Sequence, residues 1–90
     1  MALPHIRTRE EDGRVVLQVD DTELSDFVED FLTEQCGLDY QIVESAGRNR
    51  HAIIFPLGTS IETVNSALSQ LDRNDIERIF RINNPPPRAV

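Results

Sequence analysis

Short runs of apolar residues, separated by polar turns, divide the N-terminal part of the chain. Residues 14–19 are one such run, and the short segment 6–9, with Ile6 as its apolar residue, lies on the other side of Asp12 and Gly13. An Asp-Gly pair in this position is typical of a β-hairpin turn, because glycine tolerates positive φ. The sequence therefore predicts an N-terminal arm or edge strand within residues 1–13, followed by a first major strand at 14–19.

The next segment has the spacing of a helix. Between residues 24 and 36 the apolar positions recur at intervals of three and four, which places them on one helical face. Asp20 or Asp21 can cap the first free backbone N–H groups, and Gly37 supplies the left-handed residue at which such helices end. We therefore expect the first helix to end near Cys36.

The second half of the chain returns to strand patterns and then to a helix. Residues 38–45 alternate between apolar and polar types, which predicts a half-buried strand. Residues 51–57 are mostly apolar on both sides, as expected of a central strand. Thr59 and Glu62 fit a capping box, so a second helix is predicted to run from there to about Leu71.

The C-terminal part is ambiguous. Residues 77–82 fit a helix behind an Asn74 cap, but their β-branched and aromatic content favours a strand, and a strand is the prediction adopted. Residues 83–90 contain three prolines and are predicted to form a mobile tail. A single α+β domain is thus expected over residues 14–82.

This order, βαββαβ, predicts a ferredoxin-like sandwich with an antiparallel sheet and two helices on one face. Its two central strands would be residues 14–19 and 51–57. The opposite face would be only partly polar, and it is the first candidate for protein binding. The residues assigned to this surface are Val16, Gln18, Val43, Ala52 and Ile54. Self-association into a homodimer would cover it. Two other interpretations fit the sequence equally well: the surface is mildly apolar and stays exposed, or the proline-rich tail covers it.

Composition narrows the class of protein. The chain has 90 residues, 39% of them apolar, and a net charge of -7, which fits one small globular domain. Cys36 is the only cysteine, so an internal disulfide is impossible. No secretion signal or apolar span of membrane length is recognised. We expect a cytoplasmic, bacterial-type protein.

Negative charge is concentrated in one part of the chain. Between Val15 and Gly47 there are acidic residues but no lysine or arginine. The residues assigned to an acidic surface on or near the first helix are Asp26, Glu29, Asp30, Glu34 and Asp39. Such a face could meet a basic partner, as in an immunity or anti-nuclease protein, or it could be a solvated face that keeps the protein in solution.

The sequence predicts a small basic tip in the turn that joins the strand at residues 38–45 to the strand at residues 51–57. Arg48, Arg50 and His51 follow Gly47 in a turn region. They could hold an anion or an acidic neighbour, or they could lie in solvent and pair with an acid such as Glu44.

Catalytic signatures are weak. His5 and His51 belong to no recognised metal or nucleophile spacing, and Cys36 falls on the apolar stripe of the first helix. The sequence therefore predicts a non-catalytic regulatory or interaction protein without cofactor or metal, whose partner is itself or another protein. Nucleic acid is an unfavourable partner for an acidic chain, and no membrane contact is expected.

In topology, residues 14–82 resemble ACT-type regulatory domains, which sense small ligands. The glycine-containing turn of that family after its first strand is replaced here by residues 20–23, which are mostly acidic. The resemblance therefore implies the fold, and a ligand cradle of that kind is not expected.

Overall fold

The structure, a computed structural model, describes residues 3–85, apart from the side chain of Ala46. Its elements are β1 (Ile6–Glu11), β2 (Arg14–Val19), α1 (Thr22–Asp30), β3 (Ile42–Gly47), β4 (Arg50–Ile54), α2 (Ile61–Leu68) and α3 (Arg73–Asn83). The helix α1 continues as a π-helical turn over Phe31–Gln35. The chain thus forms a small α+β fold with a four-stranded antiparallel sheet and three helices.

The first hairpin forms where the Asp-Gly pair predicts it. Asp12 and Gly13 have φ values of 53° and 78°, the positive values that a tight hairpin turn requires at both central positions. The turn sets a regular register, in which Ile6 pairs with Val19 and Glu11 with Arg14. The predicted edge strand near the N-terminus is therefore confirmed as β1.

The sheet has the order β1-β2-β4-β3, so β2 and β4 are central, as predicted. The ferredoxin-like order is not confirmed, because the edge position beside β2 holds β1 instead of a strand at residues 77–82. That predicted strand is wrong, since these residues lie in α3. Asp72 caps α3 by accepting from Asn74 N, and Ile76 is fully buried on the helix. The helical spacing outweighed the β-branched composition here.

All three helices contribute to one core on one side of the sheet. From the sheet, Val15, Leu17, Val19, Ile53 and Phe55 join it, and all are nearly inaccessible to solvent. The helix residues in the same cluster are Leu24, Val28, Leu32, Val64, Ala67, Leu68 and Ile76. The helices thus lie on the same face, and the other face of the sheet is left without them.

Hydrogen bonds at the helix ends fix where α1 and α2 begin and where α1 ends. Asp21 caps α1, as one of the two predicted alternatives. At its far end the Thr33 hydroxyl donates to the Glu29 carbonyl, Cys36 N donates to Phe31 O at 3.3 Å and closes the π-helical turn, and Leu38 N donates to Leu32 O at 2.8 Å just beyond it. The predicted capping box of α2 is wrong by one residue, because Ser60 is the cap and accepts from Thr63 N.

Candidate functional site

The open face of the sheet is built from two rows of residues that the strand register brings together. Arg9, Val16, Ile54 and Ile42 are paired in one row across β1, β2, β4 and β3. Arg7, Gln18, Ala52 and Glu44 form the next row. Side chains of paired residues point to the same side of a sheet, so the first row has an apolar centre, whereas the second has Gln18 and Ala52 at its centre and a charged residue at each end. We call these two rows, with the adjacent Leu57, the open face.

Burial is uneven across the open face. Val16 and Ala52 are only 5% and 6% exposed, yet neither belongs to the core cluster. Since the helices pack on the opposite side, neighbours on their own face account for this burial. Arg9 is one such neighbour, held by Glu11 at 3.0 Å and by Gln18 at 3.2 Å.

The rest of the apolar surface on this face remains accessible. Ile42 is 43% and Leu57 66% exposed, and Ile54 is half-buried. Together with Val16 and Ala52, Ile54 and Leu57 line a shallow depression of about 530 Å³ whose margin carries charged side chains. Among the described residues only Ile82, on α3, is a further large apolar side chain with comparable exposure.

Val43 does not lie on the open face, so its predicted position is wrong. It pairs with Ile53 and packs against the core, whereas Ile42 points outward opposite Ile54. Strict alternation from Leu38 would have placed Val43 outside. The strand begins only at Ile42, and the loop before it shifts the phase by one residue. The other four residues predicted for this surface lie on it.

The predicted acidic surface is partly bound up in the fold. Asp26, Asp30, Glu34 and Asp39 are exposed. Glu29 instead accepts hydrogen bonds from the Ser25 hydroxyl at 2.9 Å and the Tyr40 hydroxyl at 3.2 Å. Within residues 3–85 none of these five carboxylates forms an ion pair.

Tyr40 reports the electrostatic field of this acidic surface. Burial of the ring raises the pKa of Tyr40 above its ordinary value of 10.0, and the charge and hydrogen bond of Glu29 raise it further. Asp30 and Asp26 act in the same direction. Negative charge on α1 is therefore felt in the loop that leads to β3.

The predicted basic tip lies beside a buried carboxylate that sequence reasoning treated only as a cap. Asp21 is 0% exposed and accepts from Leu24 N, Asn49 Nδ2 and Asn84 Nδ2 at 3.0, 3.1 and 2.8 Å. These donors come from α1, the β3–β4 turn and the C-terminal end of α3. Two features of the sequence could have indicated this cluster: an asparagine in a tight turn, where Asn49 adopts a φ of 57°, and an aspartate just ahead of the helix.

Arg48 and Arg50 are exposed around this cluster, and His51 is half-buried. Arg50 Nε lies 3.9 Å from Asp20 Oδ1, so the predicted pairing of a tip arginine with an acid occurs, although with Asp20 instead of Glu44. Arg48 and Arg50 line an open, polar depression of about 590 Å³, whereas His51 is not among its lining residues.

Within residues 3–85, His51 and Thr22 form the one hydrogen bond between a hydroxyl and an imidazole, a pair of groups that also occurs in nucleophile chemistry. Thr22 Oγ1 lies 3.0 Å from His51 Nε2 and 3.0 Å from Asn49 Oδ1. Asn49 Oδ1 also accepts from Thr22 N at 3.0 Å, so it has a donor whichever way the Thr22 hydroxyl points, and the direction of the Thr22–His51 bond depends on the tautomer of the imidazole. This contact alone assigns no catalytic role to Thr22 or His51.

Other candidate chemistry is sparse in the described part of the chain. Cys36 is half-buried and packs against the core cluster. Across residues 3–85 no group of three or more His, Cys, Asp or Glu side chains could hold a metal ion. Within the same residues no helix has the length and hydropathy needed to cross a bilayer.

Comparison with protein-family models, curated proteins and solved structures found no match to this chain.

Proposed function

We propose that this chain is a non-catalytic interaction module that associates with a second copy of itself through the open face. The observation that carries the proposal is the apolar surface left accessible by Ile54, Ile42 and Leu57, of which Ile42 is 43% and Leu57 66% exposed. Removal of such surface from water contributes about 25 cal/mol per Å² of apolar area.

The size of the face sets the expected affinity. Four strands at about 4.8 Å and five residues at about 3.4 Å give a footprint of about 320 Å² per copy. Side chains that project from the sheet add accessible area, but even twice this footprint is less than the roughly 800 Å² that each partner buries in a standard interface. We therefore expect a reversible dimer with a dissociation constant in the micromolar range.

Sedimentation velocity from roughly 1 to 300 µM tests the proposal. The wild-type chain should shift from monomer to dimer over this range, and Ile54→Asp should remain monomeric. Ile82→Asp is the matched control, because Ile82 is 64% exposed but lies on α3. A wild-type chain that stays monomeric throughout, or an Ile54→Asp chain that dimerises as wild type does, would overturn it.

The second candidate is an acidic antagonist that binds a basic protein surface through α1. It is favoured by the absence of ion pairs at Asp26, Asp30, Glu34 and Asp39 within residues 3–85, and by the raised pKa of Tyr40. Charge attraction of this kind weakens steeply with added salt, whereas an apolar contact persists.

Reversal of Asp26, Asp30 and Glu34 to lysine separates the two functions. An antagonist should lose its basic partner, captured from the source cells at low salt, while self-association persists. Retention of every such partner by the reversed chain would end the antagonist hypothesis.

A further inference from the structure

The open face carries opposite charges at its two edges in the same row. Arg7 lies on β1 and Glu44 on β3, with Gln18 and Ala52 between them. The two side chains are three strand spacings apart, about 14 Å, so they are too distant to pair within one chain. A second sheet laid over this face could satisfy both.

Resting on the self-association proposed above, we propose that the two copies are related by a twofold axis parallel to the strands, which places Arg7 of each copy against Glu44 of the other. Such an axis, lying between β2 and β4, reverses the strand order of the second sheet. The β1 edge of one copy then covers the β3 edge of its partner. Val16 lies opposite Ile54 of the partner in the neighbouring row.

The alternative twofold axis, perpendicular to the strands, is electrostatically worse. It places each edge over itself, so Glu44 approaches Glu44 and the β1 arginines approach one another. Like charges brought together across an interface oppose association. Both axes keep the strands of the two sheets aligned, as in common sheet-on-sheet packing, so charge is what selects the parallel axis.

Both charged groups are available for this contact. Arg7 is 65% exposed at its side chain, and its present partner is Asp20 at 3.3 Å. Asp20 keeps Gln18 Nε2 at 3.0 Å and Arg50 when Arg7 turns away. Glu44 is exposed and forms no ion pair with any other described residue.

The row beyond these residues supports the same axis. Asp20 follows β2 directly, and Arg50 begins β4, one position beyond the pair of Val19 and His51. Rotation about the parallel axis brings Asp20 of one copy towards Arg50 of the other. The apolar row and both charged rows are thus complementary in a single arrangement.

Zero-length carbodiimide cross-linking tests the axis, because the chain contains no lysine. Arg7→Lys introduces one side-chain amine, and the wild-type chain is the control for links to the N-terminus. A mixture of isotope-labelled and unlabelled Arg7→Lys chains should yield a Lys-to-Glu44 link between chains, identified by mass spectrometry. A link between chains from the new lysine to Glu11 instead would show the perpendicular axis and overturn the proposal.

Charge reversal provides a second measurement. Each pair occurs twice in a symmetric dimer, so Arg7→Glu or Glu44→Arg alone should weaken dimerisation about tenfold. The double variant should return to within about threefold of wild type. Suppose that the wild-type chain dimerises and Ile54→Asp does not. If the double variant then loses as much dimerisation free energy as the two single variants together, the axis is wrong while the proposed self-association stands. A monomeric wild-type chain overturns both.

Discussion

Replacement of the buried Asp21 by asparagine isolates the value of one carboxylate at the junction of three segments. Its two oxygens serve three donors: Oδ2 accepts from Leu24 N, and Oδ1 accepts from the side-chain amides of Asn49 and Asn84. Asparagine has nearly the same shape and is an equally good helix cap, so helix capping by itself is preserved. The substitution removes the charge and one acceptor oxygen and introduces an NH₂ donor.

A neutral amide offers one acceptor oxygen where the carboxylate offered two. If that oxygen faces Leu24, the new NH₂ group opposes two amide donors. Rotation of those amides is no remedy: Asn49 would lose its bond from Thr22 N, and Asn84 would lose its bond to the Phe80 carbonyl. At least one buried or partly buried donor therefore stays unpaired.

Each unpaired buried donor costs about 1–3 kcal/mol, so Asp21→Asn should lower the free energy of unfolding by about 2–4 kcal/mol. A chain of 90 residues is expected to have only roughly 5–13 kcal/mol in total. Urea denaturation followed by circular dichroism, at one fixed low protein concentration, measures the difference. Tryptophan fluorescence cannot follow the unfolding, because the chain contains no tryptophan.

The adjacent Asp20→Asn is the matched control. Asp20 is 27% exposed at its side chain, and its partners are two exposed arginines and the Gln18 amide, so loss of its charge should cost less than about 1 kcal/mol. An Asp21→Asn chain within about 0.5 kcal/mol of wild type, or one more stable than Asp20→Asn, would refute the hydrogen-bond reasoning.

Two further predictions concern titration and register. The raised pKa of Tyr40 means that its phenol stays protonated to higher pH in the folded than in the unfolded chain. The contribution of Tyr40 to stability is therefore complete below pH 10.0 and is lost as the pH rises through the pKa of the folded state. Tyr40 is the only tyrosine, so near-ultraviolet tyrosinate absorbance follows it directly, and Glu29→Gln should lower the midpoint; an unchanged midpoint would contradict the proposed field. Val43→Ala should cost about 1–2 kcal/mol and Ile42→Ala less than half of that in the same denaturation assay, because Val43 packs against the core; the reverse order would restore the register expected from simple alternation.

Local signals in the sequence were sufficient where one turn or one helical face decided the structure. The Asp12-Gly13 turn and the apolar stripe of α1 both depend on residues a few positions apart. The sheet edge depends on a competition between distant segments, and residues 77–82 carry a pattern that fits either period. Asp72 precedes α3 and Asn74 lies in its first turn, so either could be read as a cap from the sequence, and burial of Ile76 in the core identifies the helix.

The candidate site was predictable to a similar extent. Val16, Gln18, Ala52 and Ile54 lie on two strands whose alternation is unbroken, so their common face followed from period two. Val43 was misplaced because the irregular loop before β3 changes the phase, and no composition signal marks such a shift. The cluster at Asp21 brings together residues 28 and 63 positions apart, for which a single sequence holds no pairing information.

The sheet order also has a consequence for how the chain folds. β1 with β2, and β3 with β4, are hairpins closed by tight turns, so each can form from neighbouring residues alone. The pairing of β2 with β4 is the one seam in the sheet that joins distant parts of the chain, with α1 and its π-helical turn in between. Closing that loop costs entropy before any contact offsets it. We therefore expect the rate of folding to be set at this seam, by side chains such as Leu17 and Ile53, and to be nearly insensitive to changes in either hairpin turn.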